Sequence, residues 1–528
     1  MTRTRVFIRG VNNMRLPLKM QSRTRSIRDS LYPTGYNETE DMSNNLQYVR
    51  PTEDIPGPKA LPLIGNLFRF LPYIGEYHNV NALTFMRMLH DKYGNIVKFD
   101  GLKEQPSIFL FCPELCKSMY RLQGKIPMRI AMEPLHNYRK SRDNIYKGQY
   151  GLTTSQGEPW KNFRSKVGPH MMRPKIVKTH ATQIYDITNE FVDKMSTLRD
   201  PKTLELPDDF MNELYKWSVE TMCSIALNYR MGCLKPNLAM DSEPQIMINC
   251  IKEMFDLTYQ IENVPSLLKG HTRNYEKLFC ALDQINVISA KYIEYAKNNI
   301  SKSGDNTNRD YSILEKLLDI DEQTALVMAL DILMSTDTTS NAAGALLYYV
   351  ANNKEKQEKL REEVMSVLPE KTTPITHDLL DKIPYVRGCI KECMRLFPIA
   401  NGILRNMPKD VSLGGYLIPK GANVMACHAV LSMDPKYFVR PTEYIPERWI
   451  RDSPEFLLYG STHTHAYMPF GYGVRACIGQ RFAEMELEML LMKVIRNFRI
   501  EWHYGPLEHE SKIVNTVKSP LRFKLIDL

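Results

Sequence analysis

Two short stretches of this chain combine residue types able to do redox and proton chemistry. The first is the loop Phe470-Gly471-Tyr472-Gly473-Val474-Arg475-Ala476-Cys477-Ile478-Gly479, which leads into an apolar-periodic stretch, Gln480 to Arg496. Its three glycines let the backbone bend tightly around a bulky group. A thiolate, not a thiol, is the species that binds metal, and it needs positive partial charge nearby. The N-terminal amides of the following helix supply that charge. Arg475, two residues earlier, is placed to meet an anionic group on the same ligand. Taken alone, a cysteine in such a loop is more often a structural or redox residue than a metal ligand. The second stretch is Leu333-Met334-Ser335-Thr336-Asp337-Thr338-Thr339-Ser340. There a carboxylate and a hydroxyl stand side by side, a pair suited to general acid delivery.

The pattern Phe-x-x-Gly-x-Arg-x-Cys-x-Gly resembles, position for position, the cysteine loop of the cytochrome P450 family. The resemblance implies haem b (iron protoporphyrin IX), with Cys477 as its axial iron ligand and the metal-binding residue. It also makes Arg475 a propionate partner and sets Phe470 against the sulfur. A thiolate ligand pushes electron density onto the iron and favours cleavage of a bound O–O bond, which defines a monooxygenase. Asp337 and Thr338 match the family's acid-alcohol pair, the catalytic residues that relay protons. Relatives carry Ala-Gly or Gly-Gly ahead of that acid, whereas this chain has Met334 and Ser335, so the groove expected in the helix there is altered.

Further stretches resemble the family in the expected order. Trp160-Lys161-Asn162-Phe163-Arg164 is similar to its Trp-x-x-x-Arg helix, which implies that Trp160 and Arg164 meet a propionate, with Arg405 as another cationic contact. Glu392 and Arg395, one helical turn apart, and Arg448 in Pro446-Glu447-Arg448-Trp449 resemble its structural Glu-Arg-Arg triad. Arg387 and Lys391 share a helical face beside Glu392. Mitochondrial members carry basic residues there for docking an acidic iron-sulfur ferredoxin, which implies an adrenodoxin-like ferredoxin with its reductase and NADPH upstream. Gln480-Arg481-Phe482-Ala483-Glu484 is similar to the same class, and Gly151 to Glu158 looks most like insect mitochondrial members.

The elements that must hold these residues are mainly helical. Periodicity predicts helices over Ala82–Lys92, Trp160–Arg173, Lys175–Met195, Phe210–Ala226, Ile246–Gln260, Tyr275–Asn298 and Glu322–Val350. Strands are predicted at Ile96–Phe99, Ile108–Phe111 and Val424–Ala426, with a hairpin at Val411–Pro419 turning on Gly414-Gly415. The fold class is therefore mainly α with small β-sheets, a single large helical domain of the P450 kind around a buried haem. Ile55-Pro56-Gly57-Pro58 forbids a helix and marks where the folded body begins.

Composition narrows the class. Apolar residues make up 43% of the 528 and charged residues 24%, as in an ordinary globular protein. The excess of nine basic residues is concentrated at the front, which argues against a nucleic-acid partner. Met1 to Arg28 holds seven arginines and one lysine with no acid, the composition of a mitochondrial transit peptide. Residues 1–47 are read as leader and 48–528 as the catalytic domain. The ten cysteines form no Cys-x-x-Cys pair, consistent with a reducing compartment such as the matrix.

The expected reaction inserts one atom of dioxygen into a hydrophobic small molecule, either a xenobiotic or an ecdysteroid-like sterol. The altered Met334-Ser335 groove keeps two rivals open: a haem-thiolate isomerase or dehydratase acting on a peroxide, and a non-catalytic haem binder. Pocket residues implied by the resemblance are Met128–His136, Phe255–Leu268, Leu330, Met334 and Ile399–Ile403. Attachment to the matrix side of the inner membrane is expected by analogy, with Val264–Leu268 as an apolar contact.

Overall fold

A computed structural model describes residues 49–528 except 102–104, 130, 237, 263–272, 303–310, 452, 455–463 and 519. The leader and the Val264–Leu268 membrane contact lie outside the described residues. Val49–Leu528 form one compact unit. Among the described residues no helix is long and apolar enough to cross a membrane.

The helices that carry the site are α1 (Gly157–Met172), α2 (Phe210–Ala226), α3 (Glu243–Glu262), α4 (Glu322–Leu333), α5 (Thr336–Asn352), α6 (Pro384–Leu396) and α7 (Gln480–Asn497). The central one is α5, which packs against α2, α6 and α7. Its burial extends almost all round, from Thr339 through Leu347. A helix buried on nearly every side has no solvent face to orient it, so its position is fixed by neighbours rather than by amphipathicity.

A four-stranded sheet, packed by the helices Ala82–Tyr93 and Pro113–Leu122, has the order β1 (Ile96–Phe99), β2 (Ser107–Leu110), β6 (Asn423–Ala426) and β3 (Ile403–Asn406). Between β3 and β6 lies the hairpin β4 (Val411–Leu413) and β5 (Tyr416–Ile418). Its turn at Gly414 and Gly415 has positive φ at both residues, as a two-residue hairpin requires. In β3, Arg405 pairs with Val424 of β6, which sets Arg405 at a fixed register on the sheet.

Two expected helices are divided. Lys175–Met195 becomes Pro174–Thr179 and Ala181–Leu198, with the amide of His180 bonded to Val177 three residues back. Glu322–Val350 becomes α4 and α5, parted at Met334 and Ser335. The cause of the second break is competition for backbone carbonyls. The Ser335 hydroxyl donates to the Ile332 carbonyl at 2.6 Å, Thr336 to Leu333, and Thr338 to Ser335 at 2.7 Å. Hydroxyls that bond back along a helix in this way bend it. The apolar period runs straight through the break, which is why periodicity alone predicts one helix.

On the far side of α5, Glu392 and Arg395 of α6 meet Arg448, with side chains 2% exposed or less. Arg395 binds Glu392 through Nε at 3.0 Å and Nη2 at 2.8 Å, and Arg448 Nε adds a bond of 3.0 Å. The amide of Ile445 and the indole of Trp449 donate to the same carboxylate. The approach depends on Gly388, where an added Cβ would lie 2.8 Å from the Pro446 carbonyl oxygen. Removing one member of a buried ion group leaves an uncompensated charge, a loss of about 3–5 kcal/mol. Arg395→Ala should accordingly lower the unfolding free energy by about that amount, or prevent soluble expression. Thermal or denaturant unfolding checks it, and a near-native value would contradict the assignment.

Candidate functional site

The loop before α7 folds around its own glycines. Gly471 and Gly473 both have φ of 77°, a left-handed conformation costly for any residue with a Cβ. The resulting turns bring the Cys477 amide to the Phe470 carbonyl at 2.8 Å. The side chain of Ile403, in β3, would lie 3.5 Å from a Cβ placed at Gly471, so the sheet bounds the loop on that side. Cys477 is accessible to solvent, as is Cys280, while the other eight cysteines are buried. The sulfur is nonetheless closely surrounded by protein. Burial pushes its thiol up, whereas the Gly479 amide and the cations Arg164 and Arg129 pull it down. Each of the eight buried cysteines has its thiol pushed up, with burial the leading cause.

Four guanidinium groups gather near the sulfur: Arg129, Arg164, Arg405 and Arg475. Arg164, on α1, donates to the Ala476 carbonyl at 3.1 Å and so ties that helix to the cysteine loop. Arg475 lies over the ring of Trp160 at 4.4 Å and donates to Pro127, Ser155 and Gln156. Arg405 donates to Gln123 at 2.6 Å, but its Nη2 is buried without a partner. The Nε of Arg129 is likewise buried and unpartnered. Among the described residues none of the four forms an ion pair. Burial and the like charges of Arg129, Arg405 and Arg164 lower Arg475 to about 9, and burial lowers Arg405 to about 10.

Cations held together out of water at such cost call for an anion. A dianionic group carrying a metal that accepts a thiolate meets both demands, and haem with its two propionates is such a group. The donor set of this site fits it.

Arg129 and Gln156 complete the cradle. The Gln156 amide donates to the Arg129 carbonyl at 2.5 Å, and its oxygen accepts from the Arg129 amide at 2.9 Å and from Arg475 at 2.7 Å. Neither is among the propionate contacts implied by the sequence. Arg129 falls in a segment read as substrate pocket, and Gln156 in one noted only for its likeness to insect members. The signal in hindsight is a single arginine in an otherwise apolar loop. That loop is pinned to β3 by the Asn406 amide bonding the Met128 carbonyl.

Asp337 is buried on α5. Its Oδ1 accepts from the Tyr215 hydroxyl at 2.5 Å, and its Oδ2 has no hydrogen-bond partner. Burial raises this carboxyl above the usual range, while the Tyr215 bond works against that rise. Thr338, beside it, is half-buried. At the end of α4, Asp331 pairs with buried Arg139 at 2.8 Å, and Arg139 also approaches the sulfur of Met334 at 3.8 Å. Leu330 is buried, and Ile403 is half-buried. The segment Ile399–Ile403 is less apolar in its contacts than expected, because Asn401 bonds Ser511 and Asn515 of the C-terminal hairpin.

Arg387 and Lys391 border a groove of about 550 Å³ shared with Lys178, Arg481 and the Phe470-Gly471 end of the loop. They differ electrostatically. Arg387 is held by Glu488 at 2.7 Å and approaches Asp381 at 3.9 Å. Lys391 lies 5.9 Å from the ring of Trp449 and, among the described residues, has no ion partner.

Comparison with known proteins agrees with this geometry. Residues 55–526 match the family described as Cytochrome P450. The chain belongs to the cytochrome P450 family. It is 36% identical over 494 residues to probable cytochrome P450 12b2, mitochondrial, of Drosophila melanogaster, covering 92% of this chain and 91% of that protein. It is 35% identical over 505 residues to cytochrome P450 CYP12A2 of Musca domestica, covering 92% and 93%. It is 33% identical over 531 residues to probable cytochrome P450 49a1 of Drosophila melanogaster, covering 98% and 88%. This P450 is a haem-thiolate monooxygenase by family, and the family implies haem b with a cysteine thiolate.

Losing one buried charged hydrogen-bond donor from an anion site costs about 10- to 100-fold in affinity. Arg129→Leu should therefore weaken haem retention by about that factor. Transfer of haem to an apoglobin acceptor measures it, and unchanged transfer kinetics would remove Arg129 from the cradle.

Proposed function

We propose that this P450 is a mitochondrial monooxygenase that takes electrons from an adrenodoxin-like ferredoxin, supplied by ferredoxin reductase and NADPH. It inserts one atom of dioxygen into a hydrophobic small molecule on the matrix side of the inner membrane. The observation that carries this reading is the cluster of four arginines, unpaired among the described residues, beside the Cys477 loop. The mitochondrial assignment draws on the basic leader and on the printed names of relatives such as P450 12b2. The substrate class is a xenobiotic or an ecdysteroid-like sterol, with the xenobiotic favoured by likeness to insect members. Leader and catalytic domain divide at residues 47 and 48.

Haem supplies the redox centre at which dioxygen is reduced. The chain's own residues do the rest. Cys477 gives the thiolate ligand, and Phe470 covers the sulfur. Arg129, Arg164, Arg405 and Arg475, with Trp160 beneath Arg475, orient the two carboxylates of the ring. Asp337, with one oxygen open, would serve as the general acid, and Thr338, whose hydroxyl bonds the Ser335 carbonyl, stands next to it on α5. Glu392, Arg395 and Arg448 keep the cysteine loop in register with α6.

The deciding experiment is the carbon monoxide spectrum of the reduced protein beside a Cys477→Ser control. A red-shifted thiolate-type Soret band, lost in the control, is expected. A histidine-type band in the wild-type protein would overturn the ligand assignment.

Ferredoxin docking has an asymmetric expectation, because Arg387 is already neutralised by Glu488 and Lys391 is not. Lys391→Glu should slow reduction by ferredoxin about tenfold or more at low salt, Arg387→Gln should slow it less, and both should leave the haem spectrum intact. Stopped-flow reduction across ionic strength measures this. Equal, salt-independent rates in both variants would exclude this face as the docking surface.

A further inference from the structure

We propose that Tyr215 is the positioning residue for Asp337: its hydroxyl holds one carboxylate oxygen and leaves the other open to carry a proton. This rests on the reading of Asp337 and Thr338 as the proton-handling pair, and it adds the residue that aims the acid.

The argument begins with an imbalance on one carboxylate. Oδ1 receives the Tyr215 hydroxyl at 2.5 Å, while Oδ2 is buried and bonded to nothing. A buried carboxylate with one oxygen held and the other open has a defined place to carry a proton. The hydroxyl is itself fixed. Asn341, one turn along α5, donates to it at 3.1 Å and to the Asp337 carbonyl at 2.7 Å. The Asn341 oxygen accepts the Val517 amide at 2.8 Å, which keeps the amide group from turning over. Burial and the negative charge of Asp337 push the Tyr215 phenol up, so it stays a donor throughout the working pH range.

From Tyr215 a series of polar groups runs outward. Lys252 of α3 lies 4.1 Å over the Tyr215 ring and donates to Asn212 at 3.0 Å. Burial lowers this ammonium and Asp337 raises it, the balance expected of a cation facing a buried acid. Beyond it, Asp256, also on α3 and exposed, pairs with Lys512 at 2.7 Å. The ionisable groups acting on Asp337 are therefore Tyr215 from α2, Lys252 and Asp256 from α3, and Lys512 from the C-terminal hairpin. Lys216 and Asp209 act on Lys252.

Tyr215 stabilises the ionised form of Asp337. Its removal should raise the titration of that acid by about one to two pH units, the equivalent of one lost hydrogen bond to a charged group.

The test uses haem-loaded Tyr215→Phe, Lys252→Met and Asp337→Asn proteins. Infrared difference spectra across pH identify the Asp337 carboxyl as the band missing in Asp337→Asn. The expected result is a band that persists about one to two pH units higher in Tyr215→Phe, and by less in Lys252→Met. The pH profile of product formed per dioxygen consumed should move in the same direction. An unmoved titration in Tyr215→Phe, with Asp337→Asn impaired, would overturn the inference alone. If Tyr215→Phe fails to load haem, the Lys252→Met titration decides by the same criterion. Full coupling in Asp337→Asn would instead overturn the proton role of the pair, even if Tyr215 sets the titration of the acid.

Discussion

A carboxylate removed from water is costly unless its lone pairs are filled or it takes up a proton. Glu392 meets that demand with donors from two separate stretches of chain: Arg395 on its own helix, and the Ile445 amide, Arg448 and Trp449 in the segment before the cysteine loop. The guanidinium of Arg395 then spends its remaining donors on the carbonyls of Ser432, Pro441 and Glu443. Among its described residues, the chain between β6 and the loop contains only short helical turns. It takes its shape from these two side chains, and the positions of Phe470 and Cys477 follow from it.

The chain uses opposite electrostatic strategies on its two sides. Around Glu392 the carboxylate is met by two guanidiniums, and Arg395 is met in turn by backbone carbonyls, so the partners come from within the protein. Around Cys477 four cations are assembled and their compensation is left to the ligand. The first arrangement gives rigidity, and the second gives selectivity for a dianion. Asp337 shows a third arrangement, in which burial raises the carboxyl and a neutral hydroxyl partly offsets that rise.

What could be read from the chain was local. The spacing around Cys477, the Glu392 and Arg395 turn, and the Trp160 and Arg164 turn are each contained within ten residues, where geometry follows from one loop or helix. Trp449, Gln156, Arg129 and Tyr215 could not be read in this way. Their partners are distant in sequence, 122 positions away for Tyr215 and Asp337 and 319 for Gln156 and Arg475. The break between α4 and α5 was hidden for another reason. Hydrophobic periodicity reports which face is buried and is blind to hydroxyls that take carbonyls from the helix. Arg387 illustrates the limit for charges: a basic pair on one helical face reads as two equal cations, until folding brings Glu488 to one of them.

The treatment of the cysteines bears on how this protein survives its own chemistry. Enzymes that reduce dioxygen leak oxidants, and the ladder from thiolate to sulfenic, sulfinic and sulfonic acid begins only from the ionised sulfur. Eight of the ten thiols are buried and pushed toward the protonated form, which removes the reactive species as well as the access. Access therefore leaves Cys280 and Cys477, both exposed, as the sulfurs open to oxidative modification. If Cys477 holds the iron, turnover-driven ageing of the enzyme should show first as loss of haem ligation rather than as collapse of the core.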